Sequence, residues 1–120
     1  MTFDECACSG KTLARLLQPA VMAILAKAPQ HGYRLAQHLQ EMAMFRETPP
    51  DPTGLYRLLK SMEDRGLVTS TWDLAERGPA KRQYKLTRSG RTCLRKWAKT
   101  LAAYAAALDE IRDLVQSTGK

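Results

Sequence analysis

A chain of 120 residues is long enough for one domain with a modest core and too short for two ordinary ones. Its composition, 44% hydrophobic and 26% charged, is that of a globular domain, and a net charge of +7 with a pI near 9.6 directs attention to a polyanionic partner. No apolar run is long enough to span a membrane, Met1-Thr2-Phe3-Asp4-Glu5 has neither the basic nor the apolar region of a signal peptide, and the cysteines are odd in number; a soluble cytoplasmic protein with no membrane partner and no disulfide framework is expected.

The elements follow from hydrophobic period and from Pro and Gly punctuation. Leu13, Leu16, Leu17, Val21, Ile24 and Leu25 repeat at helical spacing, so a first helix is predicted from about Leu13 to Ala28, stopped by Pro29. Pro19 falls inside that run, which predicts a kink or two separate pieces. A second helix, from about Tyr33 to Met44, sets Leu35, Leu39 and Met42 on one face. Three prolines between Thr48 and Thr53 impose a loop, because each pushes its predecessor towards extended backbone. A third helix runs from about Thr53 to Arg65 with Leu55, Leu58, Leu59 and Met62 inward; Asp51 or Thr53 caps its start and Gly66 its end.

The run from Leu67 to Trp72, the turn-like Glu76-Arg77-Gly78-Pro79-Ala80-Lys81 and the run from Gln83 to Thr87 form a β-hairpin with a basic tip. From about Thr87 to Ser117 the apolar positions Leu94, Trp97, Leu101, Tyr104, Leu108, Ile111 and Val115 alternate spacings of three and four, a heptad seam. A helix of roughly thirty residues extends on the order of 45 Å, more than so small a core requires. The seam is therefore the expected homodimer interface, the alternative being a helix folded back on the first helix of its own chain.

Charge is not evenly spread. Residues 72–100 hold 9 basic and 2 acidic side chains, and so carry the whole net +7, while the segments on either side come to +1 and −1. Clustering of this kind is expected of a phosphate-facing surface. Helix, turn, helix and basic hairpin is the order of a winged helix-turn-helix, in which the third helix enters the major groove and the wing reaches an adjacent groove or backbone. The expected fold is thus mainly α with a small β-hairpin: an N-terminal extension at 1–12, a winged helix-turn-helix domain at 13–88 and a dimerisation helix at 89–120. On the third helix Thr53, Tyr56, Arg57, Lys60 and Ser61 are left to face a groove, Arg57 suited to guanine edges and Tyr56 and Lys60 to phosphates. On the wing Arg77, Lys81 and Arg82 are the candidate backbone or minor-groove contacts.

Three segments taken together carry a family resemblance. They are the stretch around His31-Gly32-Tyr33; Gly54-Leu55-Tyr56-Arg57-Leu58-Leu59 with Glu63-Asp64-Arg65-Gly66-Leu67-Val68; and Gly78 to Gly90, with Tyr84-Lys85-Leu86-Thr87 at the end of the wing. In this order and spacing the chain, over about residues 13–117, resembles the PadR family of transcriptional regulators, of the type with a short C-terminal part. The resemblance implies a homodimeric winged-helix repressor of a nearby promoter on double-stranded DNA, its dimer interface formed by an N-terminal helix and the long C-terminal helix, with Tyr56, Arg57 and Lys60 on the recognition helix and Arg77, Lys81 and Arg82 on the wing; a palindromic operator is the geometric consequence of such two-fold pairing. It also implies that a small-molecule effector releases DNA in some members. Gly54 stands where the pattern has Thr or Ser, which removes one phosphate contact.

Other features compete with that reading. Cys6 and Cys8, with Cys93 as a third sulfur, are candidate ligands for zinc or another soft metal; metal or redox sensing and plain structural thiols both stay open. His31 and His38 are read as structural. Trp72, Trp97 and Tyr104 are candidates to line a cavity for a planar effector. No acid, base and nucleophile stand at a recognisable catalytic spacing, so an enzyme is not expected. The rival from another class is an interaction module whose basic hairpin meets an acidic protein; it differs in binding nucleic acid, if at all, without sequence preference.

Overall fold

Pro19 decides where the first helix begins. In α1 (Leu17–Lys27) it is the third residue, where the backbone N–H that proline lacks would have had no partner inside the helix anyway. Among the described residues a short 3₁₀ segment at Arg15 and Leu16 precedes it, so Pro19 stands at a helix start and not at a kink within α1. Ala28, forced to extended backbone by Pro29, ends the helix. The computed structural model describes residues 15–73 and 81–119.

After α1 comes a two-residue strand, β1 (Gln30–His31), whose second residue is also the extended N-cap of α2 (Gly32–Glu41). The second helix stops at Glu41, short of the expected Met44, and a 3₁₀ turn at Ala43–Phe45 follows. Phe45 explains the break: six residues beyond Leu39, it would lie about 240° round a continuous helix, away from the apolar face, whereas the turn buries it in the core. α3 (Pro52–Asp64) has Pro52 as its first residue and Asp51 as its N-cap, the Asp51 carboxylate accepting the Gly54 N–H at 3.2 Å. Its end is a Schellman motif. Gly66, at φ +76°, donates to the Glu63 carbonyl, and Leu67 donates to that of Met62.

β2 (Val68–Asp73) and β3 (Lys81–Leu86) make the wing hairpin, and β1 pairs with the outer side of β3 to give an antiparallel sheet in the order β1-β3-β2. The register sets Val68 against Leu86, Ser70 against Tyr84 and Trp72 against Arg82 on one face. Tyr84, Leu86 and Val68 close the core from below, against Val21, Met22 and Leu25 of α1, Leu35 and Leu39 of α2, and Leu55, Leu59 and Met62 of α3. The fold is a mainly helical winged helix with a long C-terminal helix.

That helix, α4 (Arg88–Thr118), is 31 residues long. Thr87 caps it by accepting the Gly90 N–H at 2.9 Å, while its hydroxyl donates to the Gly66 and Leu67 carbonyls and so ties the end of the wing to the end of α3. Gly90 has no room for a side chain: a Cβ there would run into the Leu67 carbonyl oxygen and come within 2.6 Å of Leu86 Cδ1. α4 packs along α1, with Cys93, Leu94 and Trp97 against the core. From Ala102 to Gly119 every residue is exposed, and the molecule measures 63 Å along its longest axis against 32 and 22 Å across.

Candidate nucleic-acid interface

The inward stripe of α3, Leu55, Leu59 and Met62, leaves the opposite side of the helix to solvent. Thr53, Tyr56, Arg57, Lys60 and Ser61 are all exposed. Pro52, Thr53, Tyr56, Arg57 and Lys60 border one broad, shallow recess of about 540 Å³. Lys60 reaches Asp64 one turn on at 3.5 Å, but both side chains are largely in water and such a pair holds its ammonium weakly. Thr53, Tyr56, Arg57 and Lys60 thus share one accessible surface, while Ser61 is exposed but does not border the recess.

Tyr56 links that surface to the wing. Its ring lies on Gly32 so closely that a Cβ there would approach the Tyr56 hydroxyl and ring within 2.6 to 2.9 Å. A second recess, of about 390 Å³, is lined by His31, Gly32, Tyr33, Tyr56, Trp72, Lys81, Arg82 and Tyr84. The start of α2 is held to both strands of the wing: His31 Nε2 meets the Asp73 carboxylate at 3.1 Å, His31 and Tyr33 stack at 5.7 Å, and the Lys81 ammonium lies 5.2 Å from the Tyr33 ring centre. Burial pushes the Tyr84 hydroxyl above its ordinary pKa of 10.0, with the Arg82 charge pulling the other way.

The described basic residues of the cluster, Lys81, Arg82, Lys85, Arg88, Arg91, Arg95, Lys96 and Lys99, are all exposed, and some of them are also bonded within the chain. Arg91 donates to the Ala26 carbonyl at the end of α1, at 3.4 Å, where a cation suits the helix terminus. Arg82 is bonded within the chain, to Ser70 at 2.8 Å and beside Glu63 at 3.7 Å. Counting charge along the sequence could not separate these roles, because each partner is distant in the chain.

A family model described as the transcriptional regulator PadR-like family matches residues 21–96, from α1 through the wing into α4. The chain belongs to this family. A Thermoplasma acidophilum protein described as a transcriptional regulator is similar in structure, with a TM-score of 0.71 at 29% identity over 90% of this chain and 97% of that one. The crystal structure of Bacillus subtilis PadR in complex with operator DNA is similar over 70% of this chain and 46% of that one, with a TM-score of 0.62 at 26% identity. A PadR-like regulator from Bacillus cereus, 20% identical with a TM-score of 0.72 over 84% of this chain and 95% of that one, shares the fold. No curated protein matches the chain.

The PadR-like motifs have physical reasons here. Gly32 makes room for Tyr56, Tyr84 and Leu86 close the core, Thr87 caps α4, and Gly90 admits the Leu67 carbonyl. Gly54, at the third position of α3, gives its N–H to Asp51. Of the remaining sequence candidates, Arg77, Cys6 and Cys8 lie outside the described residues. Cys93 is half-buried against the core, and among the described residues no group of three or more His, Cys, Asp and Glu is placed to hold a metal ion. No described helix is long and apolar enough to cross a membrane. The recess that Trp72 borders includes neither Trp97, which packs on the core, nor Tyr104, which is half exposed on α4. Leu94 and Trp97, the first two seam positions, rest on the core of their own chain, whereas Tyr104, Leu108, Ile111 and Val115 are exposed, joined by Leu114.

Proposed function

We propose that this PadR-like regulator binds double-stranded DNA with sequence preference, as a homodimer, and represses transcription from the site it occupies. The observation that carries the reading is the exposed face of α3, where Thr53, Tyr56, Arg57 and Lys60 line one surface that continues through Tyr56 to Lys81 on the wing, with Ser61 exposed on the same helix. Arg57 is suited to a guanine edge, and Lys60 and Lys81 to phosphates. The similar Bacillus subtilis PadR, bound to operator DNA, supports the same use of the fold.

Support for the dimer comes from α4. Its exposed half presents Tyr104, Leu108, Ile111, Leu114 and Val115, each at least half accessible, along one stripe. Apolar side chains at heptad spacing on a projecting helix are stabilised by a second copy. A two-fold axis through such a pair presents two α3 helices to successive major grooves, which makes the operator palindromic. Repression follows from occupancy, since a seated dimer excludes the polymerase from an overlapping promoter.

The test is selection of bound sequences from a random duplex pool at near-physiological salt. Enrichment of a palindromic site supports the proposal. Salt-dependent binding with no enrichment refutes it and favours an interaction module with a basic hairpin.

A further inference from the structure

We propose that Glu63, Ser70 and Arg82 form a clamp that sets the wing relative to the recognition helix, and that Arg82 serves DNA binding through this clamp, as a positioning residue, and not by contacting a phosphate. The inference rests on the DNA-binding reading above and changes the part Arg82 plays in it.

Glu63 lies near the end of α3 on the side turned to the sheet, with about a quarter of its side chain accessible. One carboxylate oxygen accepts the Ser70 hydroxyl of β2, and the other faces the Arg82 guanidinium of β3 at 3.7 Å. Arg82 Nε donates to Ser70 Oγ at 2.8 Å. Ser70 therefore donates to the helix and accepts from the far strand, and one carboxylate holds both strands of the wing. The guanidinium also lies over its cross-strand neighbour Trp72, 5.3 Å from the ring. Its Nε, one Nη and one face are committed within the chain.

Electrostatics point the same way. A carboxylate on the DNA-reading helix repels phosphate unless it is neutralised, and Arg82 is the cation that neutralises Glu63. Lys81, one residue earlier, borders the second recess together with Arg82, but its ammonium lies over the Tyr33 ring while the Arg82 guanidinium turns to Ser70 and Glu63, so Arg82 is held by the clamp and Lys81 is left for DNA. A planar fork suits the first role and a mobile point charge the second.

Two sets of measurements test this. In the free protein, amide hydrogen exchange in residues 68–73 and 81–86 should quicken by up to about five-fold in Glu63→Gln and in Arg82→Lys, the scale of a partly exposed ion-pair network. The double variant should quicken it no further. Unchanged exchange in both single variants would overturn the clamp, whether or not the protein binds DNA. On the operator enriched from the duplex pool, Glu63→Gln should weaken binding about five-fold, since the wing loses its setting. A phosphate-contacting Arg82 predicts the opposite, because removing Glu63 would free the guanidinium and tighten binding. Arg82→Lys keeps the charge and loses the fork; it should behave like Arg82→Ala, and a lysine variant that binds as the unmodified protein does would overturn the assignment. Should Glu63→Gln fold poorly, Ser70→Ala removes the bridging hydroxyl alone and should give the same exchange pattern. A protein that shows no operator preference in any form refutes the DNA-binding reading, and the exchange experiment still decides the clamp.

Discussion

Replacing Leu108 should dissociate the protein without unfolding its core. Leu108 is 62% exposed in the single chain and lies on the part of α4 that extends past the core. Full burial of a leucine contributes about 1.5–3 kcal/mol, so covering the exposed part is worth about 1–2 kcal/mol. An isologous interface counts it twice, about 2–4 kcal/mol per dimer. Leu108→Ala should therefore raise the dimer dissociation constant about 30- to 700-fold, and Leu108→Glu further, by bringing two carboxylates to the seam. Sedimentation equilibrium over a concentration series reads the shift directly. Because an unpaired helix is marginal in water, the far half of α4 should fray in the monomer, while amides of α2 and α3 keep their protection. A Leu108→Glu protein that stays dimeric would refute the seam; one that loses protection in α3 would show that Leu108 serves the domain core.

Two further outcomes concern the frame that holds the site. Alanine in place of glycine ordinarily stabilises a helix, but Gly90→Ala should lower stability by about 1–3 kcal/mol, an overpacking cost, because its Cβ meets the Leu67 carbonyl, which also accepts the Thr87 N–H at 3.0 Å. A urea midpoint that is unchanged or raised would contradict the close approach. The raised pKa of Tyr84 means that the folded chain keeps a proton the unfolded chain releases, so stability is intact below about 10 and falls as pH rises beyond it. Tyr84→Phe should flatten that alkaline decline in a pH series of denaturation curves, and identical declines would refute the assignment.

Much of this architecture is legible in the sequence because local rules and tertiary packing agree. Asp51-Pro52 and Gly66 bracket α3 as cap chemistry requires, and the heptad spacing marks α4 over its whole length. What escapes sequence reasoning depends on distant partners. β1 is two residues long and exists because β3 offers it a register, so no periodicity announces it. The end of α2 is set by where Phe45 can be buried. The seam reads as uniform in sequence, but Leu94 and Trp97 meet α1 and the core while Leu108 and Val115 meet solvent. Arg82 reads as one more wing cation because Glu63, which engages it, lies nineteen residues away on another element. Only the sum of charges is visible along the chain; which cations are already bonded is a property of the fold.

The central claim, that α3 reads base sequence while the wing grips the backbone, is tested most directly by salt-titrated affinities for the enriched operator and for a shuffled duplex. Arg57→Ala should weaken the operator by about 1–3 kcal/mol, five- to 150-fold, and the shuffled duplex much less. Lys81→Ala should weaken both alike and reduce the salt slope by about one. Equal losses on both duplexes for both variants would contradict the account, leaving a basic surface with no reading helix.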